Sequence, residues 1–327
     1  MSEIDFVILW VDNTDPQWLE KKRRFLQEED NSFNKNDARY RDWNILRYWF
    51  RSVERYAPWV RKIHFVTCGH YPDWLNLEHP KLHFVKHEEF IPNEYLPTFS
   101  AFPIELNIHR IDGLSDQFVY FNDDMFVVAP VKPTDFFKHG LPKDVAVRTF
   151  SMLYDVRHIN SNCIEIINNR FFFIHQFKKY LWKWMNYRYG WHCLLNLYFL
   201  PYGDFTGVIN THVANAYKKA TFNEVWEKYG EKLHQTCLHR FRTKQDVNQW
   251  IFKFWQIVSG NFYPQWISFG KYFLIDNTEQ IDKMLHQKKT KLICLNDNEN
   301  LADISQLREE VIGIFQSVFP EKCSFER

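Results

Sequence analysis

The chain has 327 residues, and its 41 lysine and arginine residues balance 40 aspartate and glutamate residues, which leaves a formal charge of +1. This balance excludes a strong positive field and argues against nucleic acid as a partner. Six dispersed cysteines show no zinc-like spacing, the N-terminus lacks an apolar leader, and no stretch is long enough to span a membrane. We therefore expect a globular, cytoplasmic protein with reduced thiols and a large core.

Apolar runs and helical periodicities alternate along the first 121 residues. The run from Ile4 to Val11 predicts a buried strand, and helices are predicted near Trp18–Glu29 and within Trp43–Tyr56. Further strands are predicted over Lys62–Thr67, Leu82–Lys86 and Gln117–Phe121. This alternation predicts an α/β fold with a largely parallel central sheet and helices on both faces.

Polar residues follow several of these strands. Asp12 comes after the first strand, Thr67 ends the second, and residues 30–42 form a polar segment that predicts a mobile loop. Ligands bind parallel sheets at the carboxyl ends of the strands. Asp12, Thr67 and residues 122–124 would therefore share a site if their strands are neighbours. Asn296-Asp297 repeats the pattern of a strand followed by an acid, and we rank it lower.

The tripeptide Asn122-Asp123-Asp124 is the most informative feature of the chain. It lies between two apolar runs, Phe118–Phe121 and Met125–Val128. Adjacent carboxylates between buried segments are costly unless a cation or a polar partner offsets their charge. A hard divalent cation such as Mg²⁺ fits, because it takes one or two protein carboxylates and completes its shell with water and phosphate oxygens. A polar turn without a metal is the alternative, since Asn and Asp favour turns.

A stretch near the middle of the chain combines aromatic and basic residues. It has no acidic residue between Glu165 and Asp204, and 13 aromatic residues lie from Phe171 to Tyr202. Its basic residues are Arg170, Lys178, Lys179, Lys183 and Arg188. The pattern is typical of an interfacial helix on an anionic membrane, and also of an aromatic core helix or an acceptor-binding platform. We expect residues 166–203 to be an inserted region, which would dock an acceptor or a membrane, within a catalytic domain formed by residues 1–165 and 204–327.

Separated blocks of the chain resemble the Stealth family of sugar-phosphate transferases. The matching segments are Ile4–Asp15, Arg39–Asn44, Leu46–Tyr48, Arg51–Arg61, Leu96–Ser100, Ile104-Glu105, His109–Ile111, Gly113–Ser115, Phe121–Asp124, Thr211–Val213, His239–Arg242, Asp246, Leu295–Asp297, Phe319-Pro320 and Ser324–Glu326. The resemblance implies a glycosyltransferase-A-like nucleotide-sugar domain. It also implies transfer of a hexose or N-acetylhexosamine 1-phosphate from a UDP-sugar to a hydroxyl of a glycan acceptor, with release of UMP.

The resemblance further implies which residues act. Asp123 and Asp124 match the family's aspartate pair and would hold Mg²⁺ or Mn²⁺ on the diphosphate. The remaining candidates are His212 and Arg242 for catalysis, and Asp12, Arg39, Asp42, Glu105, His109, Arg110, Asn122 and Asp246 for substrate binding.

Several roles follow from this assignment. His212 would be a general base, because its pKa range suits proton transfer near neutral pH. Arg242 would clamp a phosphoryl group, and Asp246, one helical turn further on, would hold the arginine in place. Glu105 and His109 have the spacing of residues that share a helix face, where they would contact the transferred sugar or its phosphate. A structural histidine and a solvated helix face are the alternatives.

The donor side has its own candidates. Asp12 would read the uridine and ribose, although an aspartate that only caps the following turn fits almost as well. Arg39 and Asp42 belong to the polar loop and would close over the donor. Asn122 would orient a neighbouring carboxylate or contact the donor.

Two other functions stay open. A metal-dependent glycosyltransferase would form a plain glycosidic bond and release UDP. A glycan-binding protein without catalytic activity would use the aromatic surfaces, but it has no need of the acid pair, His212 and Arg242. The favoured enzyme would work on a lipid-linked acceptor of capsular or cell-surface polysaccharide, with peripheral contact to the inner face of the plasma membrane through residues 171–202.

Overall fold

The computed structural model describes residues 3–28, 40–150, 157–297, 301 and 303–327. Its strands are β1 (Ile4–Leu9), β2 (Ile63–Thr67), β3 (Leu82–Lys86), β4 (Gln117–Phe121), β5 (Met125–Val127), β6 (Phe137–Lys138), β7 (Leu141–Asp144), β8 (Asn215–Lys218), β9 (Tyr263–Pro264), β10 (Gly270–Leu274) and β11 (Leu292–Asn296).

The helices cover most of the remaining chain. They are α1 (Pro16–Glu28), α2 (Leu46–Tyr56), α3 (His87–Phe90), α4 (Ala101–Asn107), α5 (Pro133–Phe136), α6 (Arg157–Arg170), α7 (Phe173–Lys179), α8 (Leu181–Trp184), α9 (Cys193–Tyr198), α10 (Lys219–Leu238), α11 (Trp250–Val258), α12 (Thr278–Gln287) and α13 (Ile304–Val318). Short 3₁₀ turns occupy Asn93–Tyr95, Ile108–Arg110, Tyr187–His192 and Leu200–Tyr202. None of the helices in the described ranges is long and apolar enough to cross a membrane.

The central sheet has five strands in the order β3-β2-β1-β4-β8. Strands β1 to β4 run parallel to their neighbours, and β8 is antiparallel to β4. The predicted α/β class with a largely parallel central sheet is therefore confirmed. Two smaller sheets have the orders β10-β11-β5 and β6-β7-β9. In the first of these, β11 is antiparallel to β5, a pairing that the sequence analysis did not predict.

Strand β1 shows how the sheet separates two apolar cores. All six of its residues are buried. Phe6 and Ile8 belong to the core that α2 and α13 share, whereas Val7 and Leu9 belong to the core that α4, α10 and α11 share. Successive side chains of a strand point to opposite faces, so a strand covered on both faces has a continuous apolar sequence. The run from Ile4 was recognisable for this reason.

The aromatic segment 166–203 packs into the second core. Phe173, Trp184 and Tyr189 are fully buried there together with Tyr120 of β4. Lys183, one of the basic residues of the segment, is also buried and donates hydrogen bonds from Nζ to two backbone carbonyls across the core. The division into an insertion and a two-part catalytic domain stays a prediction.

Candidate active site

The acidic tripeptide forms a tight turn between two sheets. Strand β4 belongs to the central sheet and β5 to the sheet with β10 and β11. The amide of Met125 donates to the carbonyl of Asn122 at 3.2 Å, which closes the turn. The amide of Leu295 donates to the carbonyl of Asp124 at 2.8 Å and ties the turn to β11. The predicted turn is thus present, and it places both carboxylates at the carboxyl end of β4.

Four carboxylates lie close enough to influence one another at this end of the sheet. Burial raises the pKa of Asp123 well above its ordinary value, and the charges of Asp124 and Asp42 raise it further. Burial also raises the pKa of Asp42, and the charge of Asp12 raises it further. The pairing of β1 with β4 brings Asp12 to this edge, because Ile8 lies opposite Phe121. Asp12 therefore reaches the same edge of the sheet as residues 122–124, as expected, and is linked to Asp123 through Asp42.

Cys294 of β11 contacts the second aspartate of the turn. Its thiol donates to Oδ2 of Asp124 at 3.3 Å. Burial raises the pKa of this thiol well above its ordinary value, and the charge of Asp124 adds to the effect, so the sulfur keeps its proton. Burial raises the pKa of Asp124 to about 6, although the bond from Cys294 lowers it. Oδ1 of Asp124 is buried and has no hydrogen-bond partner within the part of the chain that the structure describes.

The side chains around the acidic turn include both soft and hard metal ligands, and the hard oxygen ligands fit a cation better. A carboxylate oxygen of Asp124, a ring nitrogen of His212 and Sγ of Cys294 lie within 4.8 Å of one another, a set that resembles a site for a softer metal such as zinc. The protonated thiol, however, is already engaged with Asp124. Oδ1 of Asp124 and the neighbouring carboxylates of Asp123 and Asp42 are oxygen donors, the ligand type that Mg²⁺ and Mn²⁺ prefer.

His212 is held in one orientation by Asn210. The backbone of His212 is left-handed, with φ of 51°, and its amide donates to Oδ1 of Asn210 at 2.9 Å. Nδ2 of Asn210 is 3.0 Å from Nδ1 of the imidazole and must be the donor in that contact. A neutral ring then carries its proton on Nε2. Burial lowers the pKa of His212, and the charge of Lys253 lowers it further, so the ring is neutral near pH 7.

This tautomer bears on the role of the histidine. A ring whose Nδ1 accepts a hydrogen bond presents Nε2–H as a donor, whereas a general base must present an unprotonated nitrogen. The hydrogen bonds of Asn210 therefore favour a donor role for His212 over the predicted base. Asn210 was not among the predicted site residues.

Arg242 and Asp246 lie in a loop instead of a helix, so the predicted contact between them at helical spacing is wrong. Asp246 is buried, and its carboxylate accepts hydrogen bonds from His239 at 2.6 Å and from the amide of Thr243 at 2.7 Å. The guanidinium of Arg242 lies over the ring of Phe102 at 4.6 Å. Asp246 thus shapes the loop that carries Arg242, while the arginine rests on α4.

Glu105 and His109 do not share an exposed helix face. Helix α4 ends at Asn107, and both side chains are buried. Glu105 contacts the hydroxyl of Tyr120 at 3.0 Å, and that hydroxyl contacts Oδ1 of Asn122 at 2.5 Å. Burial raises the pKa of Glu105 to about 7. Glu105 is therefore linked to the acidic turn through Tyr120, a connection that the spacing did not predict.

The neighbouring candidates pack against α10. Burial lowers the pKa of His109 to about 3, and its ring packs near Phe222 and Trp226. Arg110 is exposed and lies over the ring of Trp226 at 5.0 Å. Contact of His109 and Arg110 with substrate stays a prediction, whereas Arg39 lies outside the described residues.

Asp12 and Asp297 both make local contacts at the edge of the site. Oδ1 of Asp12 accepts from the amide and the hydroxyl of Thr14 at 2.8 and 2.6 Å, so the turn-capping alternative is realised. Its own amide donates to His70 at 2.8 Å. Asp297 accepts from Arg41 at 2.8 Å and from the indole of Trp43, which ties the end of β11 to the segment before α2. Donor contact by Asp12 stays a prediction.

Comparison with known proteins identifies the family. Stealth protein conserved regions 1, 2 and 3 match residues 2–30, 39–144 and 211–251. The capsular polysaccharide phosphotransferase WcwK of Streptococcus pneumoniae is 42% identical over an alignment that covers 100% of this chain and 99% of that protein. This chain belongs to the Stealth family. The predicted family and the predicted transferase class are both confirmed.

Further Stealth relatives carry similar names. The exopolysaccharide phosphotransferase cps2G of Lactiplantibacillus plantarum is 36% identical over 99% of this chain and 96% of its own length. These names support phosphotransfer in polysaccharide synthesis. Among solved structures, the galactosyltransferase LgtC in complex with donor and acceptor sugar analogs aligns with 94% of this chain and 95% of its own, at a TM-score of 0.40 and 10% identity.

The Stealth regions contain all the predicted site residues, from Asp12 in region 1 to Asp246 in region 3. Asn210 and Cys294 lie outside the three regions. Their contacts with His212 and Asp124 come from backbone geometry and strand pairing, and the only sequence signal for Cys294 was its place in the strand that precedes Asn296-Asp297.

Proposed function

We propose that this Stealth protein transfers a hexose or N-acetylhexosamine 1-phosphate from a UDP-sugar to a hydroxyl of a glycan acceptor in capsular or related cell-surface polysaccharide. The product would be a phosphodiester, and UMP would leave. The observation that carries the proposal is the group of carboxylates of Asp12, Asp42, Asp123 and Asp124 beside His212, in a chain whose full-length relatives are phosphotransferases.

A divalent cation would be needed to bring a diphosphate to these carboxylates, because like charges repel. Asp123 and Oδ1 of Asp124 would hold Mg²⁺ or Mn²⁺, and Cys294 would keep Asp124 oriented through its bond to Oδ2. When bound, the cation would supply Lewis-acid polarisation of the phosphoryl oxygens.

The reaction would need little covalent chemistry from the protein. The acceptor oxygen would bond to the phosphorus that carries the sugar, and the bond from that phosphorus to the bridging oxygen of the diphosphate would break. His212 would donate from Nε2–H to an oxygen on which negative charge develops. Arg242 would bind a phosphoryl oxygen pair through its guanidinium. The acceptor proton would pass to a carboxylate of the group, and the raised pKa of Asp42 suits that role.

The nucleotide product tests this proposal. Purified protein would be incubated with Mn²⁺, a panel of UDP-sugars and a glycan acceptor, and the nucleotide would be identified by anion-exchange chromatography. We expect UMP, together with a phosphodiester signal in the phosphorus NMR spectrum of the product. Release of UDP with a product free of phosphorus would contradict the proposal and favour the plain glycosyltransferase.

A pair of matched variants tests the site. Asp124→Asn removes a carboxylate of the proposed cation site, and we expect turnover to fall by about 10³-fold or more, as it would in excess chelator. Asp73→Asn makes the same chemical change at an exposed aspartate and should leave turnover unchanged. Equal turnover of the two variants would show that Asp124 is not part of the catalytic site.

A further inference from the structure

A row of large apolar side chains faces solvent on and around α9. Five of them, whose exposed fractions lie between 44% and 68%, form what we call the aromatic platform. Its residues are Trp191, Leu194, Leu197, Tyr198 and Tyr202. Scattered exposed apolar residues are normal, but a contiguous patch marks a surface that contacts something other than water.

The platform is one face of a short helical segment. Leu194 follows Trp191 by three residues, and Leu197 and Tyr198 follow Leu194 by three and four residues, the spacing of side chains that share a helix face. The opposite face is fixed by Asn196, which is fully buried. Nδ2 of Asn196 donates to the carbonyls of Ala146 and Trp184 at 2.8 and 2.6 Å. The fold therefore holds these apolar side chains outward.

Ring contacts extend the platform beyond α9. The exposed ring of Phe150 lies 5.0 Å from Tyr202 and 4.7 Å from Phe199. Phe199 in turn lies 5.1 Å from Tyr198. Trp and Tyr side chains are those that prefer the boundary between lipid and water, because they combine an apolar ring with a polar group.

Basic side chains are exposed in the segment that contains the platform, and the exposed Asp204 follows Tyr202 by two residues. No acidic residue lies between Glu165 and Asp204, while the exposed side chains of Arg170, Lys178 and Lys179 belong to the same segment. Clustered basic residues next to an apolar helix face are complementary to anionic lipid headgroups.

A buried arginine adds to this charge. The guanidinium of Arg148 lies over the rings of Phe173 and Phe199, at 4.4 and 5.9 Å from their centres. Its Nε and Nη1 atoms have no hydrogen-bond partner among the described residues. Burial lowers the pKa of Arg148 to about 10, which still leaves it charged near pH 7. A cation thus lies 5.9 Å from the ring of Phe199 at the edge of the platform, and the charge of the nearby Asp204 raises its pKa.

We propose that the aromatic platform docks this chain on the anionic surface of a lipid bilayer. Two other occupants fit less well. A glycan site needs hydrogen-bonding groups beside its stacking rings, whereas Leu194 and Leu197 line the middle of the platform. A symmetric contact with a second copy would bring together two segments that each carry an excess of basic side chains, and like charges oppose such an interface.

The platform is connected to the active site through a short stretch of chain. The amide of Thr149, next to Phe150, donates to the carbonyl of Gly207 at 3.2 Å. His212 follows Gly207 by five residues, so their Cα atoms are at most about 18 Å apart. If the proposed function holds, docking would place the acceptor end of a lipid-linked glycan near the acidic turn. Docking itself does not depend on which reaction the site performs.

Vesicle flotation tests the proposal. Full-length protein would be mixed with extruded vesicles of phosphatidylcholine, with or without phosphatidylglycerol, and floated through a density gradient. We expect the protein to float with the anionic vesicles. The triple variant Trp191→Ala, Leu194→Ala, Tyr198→Ala should bind them at least about tenfold less, while its turnover on a soluble acceptor should stay within about twofold of wild type.

The matched control removes apolar side chains elsewhere. The double variant Tyr71→Ala, Leu238→Ala also loses exposed large apolar groups, and it should float like the wild-type protein. Circular dichroism of each variant checks that it is folded.

Three outcomes would overturn the proposal. The first is wild-type protein that floats with neither vesicle, or equally with both. The second is a triple variant that floats like the wild type. The third is a dimer in analytical ultracentrifugation that the triple variant dissociates, since the platform would then be an interface between copies. Loss of flotation with unchanged turnover would leave the proposed reaction intact, and loss of turnover alone would leave docking intact.

Discussion

Glu105 offers the sharpest test of the physical reasoning, because a single buried carboxyl should control how stability depends on pH. Its Oε1 lies 3.0 Å from the hydroxyl of Tyr120, and its Oε2 accepts from the amide of Gln249 at 3.3 Å. The Tyr120 hydroxyl also lies 2.5 Å from Oδ1 of Asn122. Tyr120 has one proton to donate, and both contacts are hydrogen bonds only if Glu105 brings a second proton.

The pKa of Glu105 agrees with a protonated carboxyl group. Burial raises it from 4.5 to about 7, although the charge of Arg242 and the hydrogen bonds lower it. Between these two values the folded protein keeps a proton that the unfolded chain has released. The free energy of unfolding therefore falls as pH rises from about 4.5 to about 7, and this contribution is constant above that range. At about 1.4 kcal/mol for each pKa unit, the loss is about 3 kcal/mol.

Glu105→Gln removes this loss. A glutamine has the shape of the protonated acid: its amide group can donate to Tyr120, and its oxygen can accept from Gln249. The variant should match the wild type near pH 4.5 and exceed its free energy of unfolding by up to about 3 kcal/mol at pH 8.

Urea denaturation followed by circular dichroism measures this difference at pH 4.5, 6 and 8, with chelator present throughout. Glu227→Gln, which changes an exposed residue of α10, controls for the loss of one negative charge and should show no such trend. The reasoning would be refuted by a Glu105→Gln variant that is less stable than wild type at pH 8, or by a difference that does not change with pH.

Three further predictions concern other contacts. In the Asn210→Asp variant, the new carboxylate would accept a hydrogen bond from Nδ1 of His212, so the proton of the neutral ring would move from Nε2 to Nδ1. Steady-state kinetics at a pH above the imidazolium pKa should then show that kcat falls by about 10²-fold if Nε2–H is the donor in the reaction. No fall in kcat would indicate that His212 is a base. Glu326→Ala leaves the buried Arg51 guanidinium without its 2.6 Å partner and should cost about 3 kcal/mol in urea denaturation, and a loss under 1 kcal/mol would contradict this. Mn²⁺ should bind about tenfold more weakly in calorimetry at pH 5 than at pH 7, because Asp124 has a pKa of about 6, and equal affinities would count against Asp124 as a ligand.

Much of the fold could be predicted because buried parallel strands leave a strong pattern. Leu82–Lys86 and Gln117–Phe121 coincide with β3 and β4, and the apolar run from Ile4 contains β1. Such strands are covered on both faces, so their sequences are continuously apolar. The antiparallel pairing of β5 with β11 could not be predicted in the same way, since β5 has three residues and its partner is more than 160 positions further along the chain.

The site was predictable where residue type decided the outcome and unpredictable where local backbone geometry did. The acids of the turn were found because adjacent carboxylates between apolar runs are unusual. The proposed contact of Arg242 with Asp246 assumed helical spacing, but the chain after α10 forms a loop. The prediction that Glu105 and His109 share a helix face was wrong for a related reason, because α4 ends between them. Spacing of four residues brings side chains together only while the helix continues.

The position of the acidic turn explains why it should bind a cation. On one side Phe121 pairs with Ile8, and on the other Met125 pairs with Cys294, so the turn cannot move its carboxylates outward into water without breaking a sheet. Burial raises the pKa of Asp123 and Asp124, which means that the folded protein holds these anions at a cost. A bound proton relieves that cost at low pH, and a bound divalent cation relieves it near neutral pH. The rigidity that makes ionisation of these carboxylates costly is also what would hold them in place for a metal-bound diphosphate.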